Sequence, residues 1–116
     1  MNANAACAWV NNDLDLREIL KTIDKVFVLF YASWCPFCES FLPIFQKQAE
    51  EEGRHFVIMQ DDQETIADQY AIKVYPTVLF FERGIVSKRL DGLVGVGLDE
   101  KQLVAFVGFY PGPKKN

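Results

Sequence analysis

Val26-Phe27-Val28-Leu29-Phe30-Tyr31-Ala32 is an unbroken apolar and aromatic run, and Ser33-Trp34-Cys35-Pro36-Phe37-Cys38 follows it directly. The run is rich in β-branched and aromatic residues and reads as a central strand covered on both faces. Phe41, Leu42, Phe45 and Ala49 then recur at helical spacing, so a helix starts at or near the cysteines. Cys-x-x-Cys at a strand-to-helix junction is the pattern of a thiol–disulfide redox centre. With Cys35 as N-cap, Pro36 is the first helical residue, where a missing N–H costs nothing and a fixed φ helps. Cys38 is then the third, whose N–H an N-cap side chain accepts. The helix start aims its unpaired N–H groups at the Cys35 sulfur and favours the thiolate. Cys38 lies one turn in, closer to the helix body. Cys35 is therefore expected to attack a substrate disulfide and Cys38 to resolve the mixed disulfide, with no metal or organic cofactor.

Composition bounds the rest. The 116 residues suit one domain with one core, and half of them are hydrophobic, enough to fill it. Residues 1–116 are read as a single domain, with 1–12 an N-terminal segment and 111–116 a C-terminal tail. A net charge of −4 gives no basic footprint for nucleic acid, and the Lys114-Lys115 pair reads as a solvated tail. Three cysteines are too few for a disulfide scaffold. No apolar run approaches the ~20 residues of a membrane span, and Met1 to Val10 lacks the form of a signal peptide. The expectation is a cytoplasmic monomer.

Working outward, Ala6 to Val10 reads as a short first strand. Leu16, Ile19, Leu20 and Ile23 form a helical stripe with Asp13 as its N-cap. Pro43 lies inside the helix after the cysteines and should kink it, and Gly53 should cap its end. Phe56 to Met59 reads as a buried strand, and Asp61 to Tyr70 as turn chemistry leading into a short helix. Thr77 to Phe81 and Val86 to Leu90 read as strands joined by a hairpin at Glu82-Arg83-Gly84. Asp99 to Phe109 reads as a last amphipathic helix ended by Pro111-Gly112-Pro113. Tyr70, Leu79 and Phe80 read as core.

At this point the chain resembles the thioredoxin family. The residues that carry the resemblance are Phe30-Tyr31-Ala32-Ser33-Trp34-Cys35-Pro36-Phe37-Cys38, then Pro43, Tyr75-Pro76-Thr77, Phe81, Gly84 and Gly92. It covers the chain from Leu14 to Phe109. It implies an α/β thioredoxin fold, a central mixed sheet of four to five strands flanked by about four helices. It implies that Pro76 is cis and faces the cysteines, and that Tyr75 offers backbone polar groups to an extended substrate. Trp34, Pro36, Phe37, Gly92 and Leu93 would rim the substrate site; for Trp34 and Phe37 simple core packing is the other reading. The implied partners are protein disulfide substrates and a thioredoxin-reductase-like or small-thiol electron donor.

Two departures stand out. Leu29 and Ile58 occupy the positions where the family carries a buried acid and a nearby lysine, so Cys38 lacks the usual acceptor for its proton. Pro36-Phe37 replaces the usual Gly-Pro and is closer to glutaredoxins, which leaves exchange with a small thiol as an alternative. A further alternative is a binding or chaperone module of the same fold. Cys7, Cys35, Cys38 and His55 are too irregularly spaced to make a convincing metal site. An iron–sulfur cluster bridging two copies, or two inert buried cysteines, fits the context no better. Cys7 reads as an incidental or buried thiol, regulatory or dimer-forming only if exposed. His55 reads as a strand-end residue rather than a base, and Asp61, Asp62 and Glu64 as cap and turn residues. Glu50-Glu51-Glu52 sits unfavourably at a helix C-terminus and has no functional account.

Overall fold

The structure is a computed structural model that describes residues 7–53 and 55–108. Strand β1 (Cys7–Val10) leads to helix α1 (Asp13–Thr22), strand β2 (Lys25–Tyr31) and helix α2 (Pro36–Glu52). Strand β3 (Phe56–Gln60) follows, then a 3-10 turn (Ala67–Tyr70), strands β4 (Thr77–Glu82) and β5 (Ile85–Asp91), and helix α3 (Glu100–Gly108). The sheet runs β1-β3-β2-β4-β5. The β1–β3 and β3–β2 pairs are parallel, and β2–β4 and β4–β5 are antiparallel. The fold is the expected mixed sheet with helices packed on it, a thioredoxin fold. Among the described residues it carries three α-helices and one 3-10 turn rather than four helices.

β2 is central, and every residue from Val26 to Tyr31 is buried. Its alternation sorts the core into two layers. Phe27 stacks on Phe56 and meets Phe80 at a tilt, and Phe45 from α2 and Phe106 from α3 close over that cluster. On the opposite face Phe30 meets Tyr70, which also packs edge-on against Phe81. Tyr70 is thus half-buried at the margin of the core rather than inside it, whereas Leu79 and Phe80 are fully inside. α1 gives the core Leu16 and Leu20.

Several boundaries differ from expectation for local reasons. The N-cap of α1 is Asn12, whose side chain accepts from the Asp15 N–H at 2.8 Å; Asp13 is instead the first helical residue, where its charge suits the dipole and pairs with Arg17. The segment after β3 closes as a 3-10 turn between Glu64 and Ala71, both with positive φ, which leaves no room for a longer helix. α3 is capped by a reciprocal pair of bonds between Asp99 and Gln102. Gly53 ends α2 in the left-handed region, as expected, while α2 runs unbroken through Pro43. Ala6, the expected end of the last helix at Phe109, the Pro111-Gly112-Pro113 stop and the lysine tail lie outside the described residues.

Candidate active site

The main chain leaves β2 at Tyr31 and turns through a hydrogen bond from the Cys35 N–H to the Ala32 carbonyl. Cys35 is the N-cap of α2 and Pro36 its first residue. The Cys38 N–H donates to the Cys35 sulfur at 3.4 Å, so the sulfur takes the place a serine or aspartate oxygen takes at other helix starts. All three cysteines are free thiols. Cys35 keeps 5% of its surface exposed and Cys38 none, which orders the pair from outside to inside.

Burial pushes the Cys38 thiol up to about 12; a hydrogen bond with Cys35 adds to this and a backbone bond with Ala32 opposes it. Leu29 and Ile58 are register partners on adjacent strands, Val78 flanks Leu29 on the other side, and all three are fully buried. The two family positions therefore lie side by side and are both dry.

The second wall is the segment before β4. The Tyr75–Pro76 peptide is cis, and the Tyr75 carbonyl accepts from the Cys35 thiol at 3.6 Å. Gly92 follows β5 beside it: its N–H donates to the Thr77 hydroxyl at 3.4 Å, and a Cβ there would strike the Pro76 carbonyl oxygen. Trp34 is 55% exposed and Phe37 39%, so both stand on the rim and the core reading of either fails. The Trp34 indole lies 5.9 Å from the Tyr75 ring, and Gly97 packs directly on Phe37. Leu93 is exposed, followed by exposed Val94 and Val96 in a tight turn that returns to Gly97. The structure thus joins Trp34, Cys35, Tyr75 and Pro76 into one site, with Gly92 against Pro76 and Gly97 against Phe37.

Two acids read from the sequence as cap and turn residues also hold distant partners at the site. Asp62 accepts from the Ser33 N–H and hydroxyl, both at 2.7 Å, and from Gln60, and these bonds hold its carboxyl below the usual carboxylate range. Its main-chain carbonyl accepts from the Trp34 indole at 2.8 Å. Asp61 is only 3% exposed; it caps the turn at residues 65–67, as expected, but it also accepts from the Tyr75 hydroxyl. Turn chemistry is visible in sequence because its partners are neighbours. A partner 14 residues away is not.

Cys7 pairs in register with Phe56, at the end of the parallel strands away from the cysteine pair, and His55 is exposed just before β3. Burial pushes the Cys7 thiol up to about 12. Among the described residues no three His, Cys, Asp or Glu side chains form a group that could hold a metal, and no helix is long and apolar enough to cross a membrane.

The sequence model of the Thioredoxin family matches residues 9–108. A thioredoxin of Mycoplasmoides gallisepticum is 36% identical over 87 residues, covering 73% of this chain and 87% of its own. Protein disulfide-isomerase A5 of Bos taurus is 35% identical over 81 residues, 65% of this chain; that match spans only 16% of the larger protein. Among solved structures, a mutant thioredoxin from Halobacterium salinarum superposes with a TM-score of 0.76 over 94% of both chains, at 24% identity.

Proposed function

The chain belongs to the thioredoxin family, and on that premise we propose that it is a thiol–disulfide oxidoreductase that reduces protein disulfides through Cys35 and Cys38. The observation that carries this reading is the cap: the outer sulfur sits on the N-terminus of α2, takes the Cys38 N–H, and faces the Tyr75 carbonyl. The Cys35 thiolate attacks one sulfur of a substrate disulfide, and the other substrate sulfur leaves as a thiolate and takes up a proton. The Cys38 thiolate then attacks the Cys35 sulfur, breaks the intermolecular bond and releases the second substrate thiol. Two electrons pass to the substrate, and the protein is left as the Cys35–Cys38 disulfide. A thiol donor resets it and is itself oxidised to a disulfide: either the dithiol of a thioredoxin-reductase-like protein or two equivalents of a small thiol. Trp34, Pro36, Phe37 and Leu93 form the apolar rim that receives residues flanking the substrate disulfide, and Tyr75, Pro76 and Gly92 receive its main chain. The setting is a reducing one, the cytoplasm, where the pair can be recharged.

Reduction of insulin disulfides with dithiothreitol as the donor tests the reading. Cys35→Ser should abolish turnover, and retained turnover in that variant would sink the assignment. Cys38→Ser should instead stall the mixed disulfide on Cys35 and capture substrate proteins. Pro36-Phe37 favours a second reading, exchange with a small thiol such as glutathione. Rapid turnover of a glutathione mixed disulfide, without turnover of insulin, would select it.

A further inference from the structure

Asp61 is a buried carboxylate with five donors. Four come from the turn that follows it: the Thr65 N–H at 2.9 Å, the Thr65 hydroxyl at 3.2 Å, and the Ile66 and Ala67 N–H groups, each at 2.9 Å. These four already satisfy what a buried carboxylate needs as a local cap. The fifth is the Tyr75 hydroxyl at 2.9 Å, from the far side of the site. Tyr75 is also the residue whose carbonyl accepts the Cys35 thiol. Burial, then the bond to Asp61, holds the Tyr75 phenol protonated, so it stays a donor. The next residue, Asp62, reaches the other way, to Ser33 and Trp34. Two adjacent acids just after β3 thus tie down the two chain segments that flank the Cys35 sulfur.

We propose that Asp61 is a positioning residue of the redox site: it holds Tyr75 by its hydroxyl, so that the Tyr75 carbonyl faces the Cys35 sulfur and the main chain at Tyr75–Pro76 stays set for an extended substrate. The proposal rests on the disulfide-reductase reading for its substrate arm, but not for its geometric arm. Asp61 touches no reacting atom. It acts through Tyr75, and the turn cap is a separate duty of the same carboxylate.

The two duties separate by deleting one hydroxyl at a time. Tyr75→Phe removes only the donor from the site side. Thr65→Val removes only a donor from the turn side. The full chain is assayed for insulin reduction, for the rate at which iodoacetamide alkylates Cys35 in a Cys38→Ser background, and for thermal melting. Tyr75→Phe should raise KM for insulin severalfold, less than the roughly tenfold or more that one lost hydrogen bond to a charged group is worth, because that bond reaches the substrate only through the Tyr75–Pro76 main chain; kcat should change less. Cys35 alkylation should rise about threefold, because the thiol loses a fixed acceptor. Thr65→Val should melt lower yet keep the wild-type KM and alkylation rate. Asp61→Ala combined with Tyr75→Phe should have the KM of the worse single variant, since both cut one link. The proposal is overturned if Tyr75→Phe leaves KM and alkylation unchanged, or if Thr65→Val moves them as far as Tyr75→Phe does. If Asp61→Ala does not fold, the comparison of Tyr75→Phe with Thr65→Val decides alone. Wild-type protein that fails to reduce insulin would refute the reductase reading, while the alkylation ratios would still decide the role of Asp61.

Discussion

Cys38 must lose a proton before it can attack the Cys35 sulfur, and its burial opposes that loss. With the thiol pushed up to about 12, only a small fraction is thiolate near neutrality, and that fraction grows tenfold per pH unit. Leu29, Ile58 and Val78 make a buried apolar row across three neighbouring strands, and none of their side chains can accept a proton. Resolution should therefore be the pH-limited step. If Cys35 is loaded with 5-thio-2-nitrobenzoate, release of the coloured thiol by Cys38 should speed up about tenfold per unit between pH 6 and 9. A flat profile would show that another group takes the proton. Leu29→Asp puts a carboxylate into this row. It should speed release at pH 7 and flatten the profile, at a cost of about 3–5 kcal/mol in urea unfolding for an unpaired buried charge. Faster release without loss of stability would mean that the row is wetter than its burial indicates.

The β4–β5 hairpin is the element that sets the far wall of the site. Thr77 and Asp91 are register partners, so Pro76 and Gly92, one residue beyond each, meet at the site end. The Arg83-Gly84 turn lies at the other end of the hairpin, with Gly84 at φ +80°. Gly92→Ala forces a methyl against the Pro76 carbonyl oxygen, an overpacking of about 1–3 kcal/mol, and the Pro76 segment must give way. Insulin reduction should fall with stability in that variant. Gly84→Ala should cost about 1 kcal/mol through its backbone alone and leave kcat/KM untouched. Equal activity in the two variants would remove Gly92 from the wall. The same contrast of local and distant causes explains what the chain discloses before it folds. The start of α2 is legible because cap, proline and third residue are contiguous from Cys35 to Cys38. The cap of α1 is ambiguous by one residue because Asn12 and Asp13 are both capable and only geometry chooses Asn12. The 3-10 turn resembles a helix in sequence because Asp61 spends its carboxylate on N–H groups four to six residues on. Most of the substrate rim is named through the family resemblance, whereas the tie from Asp61 to Tyr75 needs the fold to close.

Across the whole molecule, the burial that builds the core also sets how stability responds to alkali. Cys7 lies in β1 and Cys38 in α2, and burial pushes each from 9.0 to about 12. An unfolded chain gives up these protons near pH 9, whereas the native chain keeps them to about 12. In that window the unfolded state binds fewer protons than the native one, so stability falls as pH rises. The phenols of Tyr31, Tyr70 and Tyr75, also raised mainly by burial, act in the same direction. Asp62 has the opposite sign: its lowered carboxyl adds stability above the ordinary carboxylate range, lost as pH falls through its folded value. Each buried thiol should contribute a slope of about 1.4 kcal/mol per pH unit inside the window. Cys7→Ala isolates one of them without touching the redox pair. Urea midpoints under reductant at pH 7, 9.5 and 10.5 should converge between variant and wild type as pH rises, because the variant has one proton fewer to lose on unfolding. Parallel curves would mean that Cys7 titrates alike in both states, and so that β1 opens to solvent at its Cys7 end.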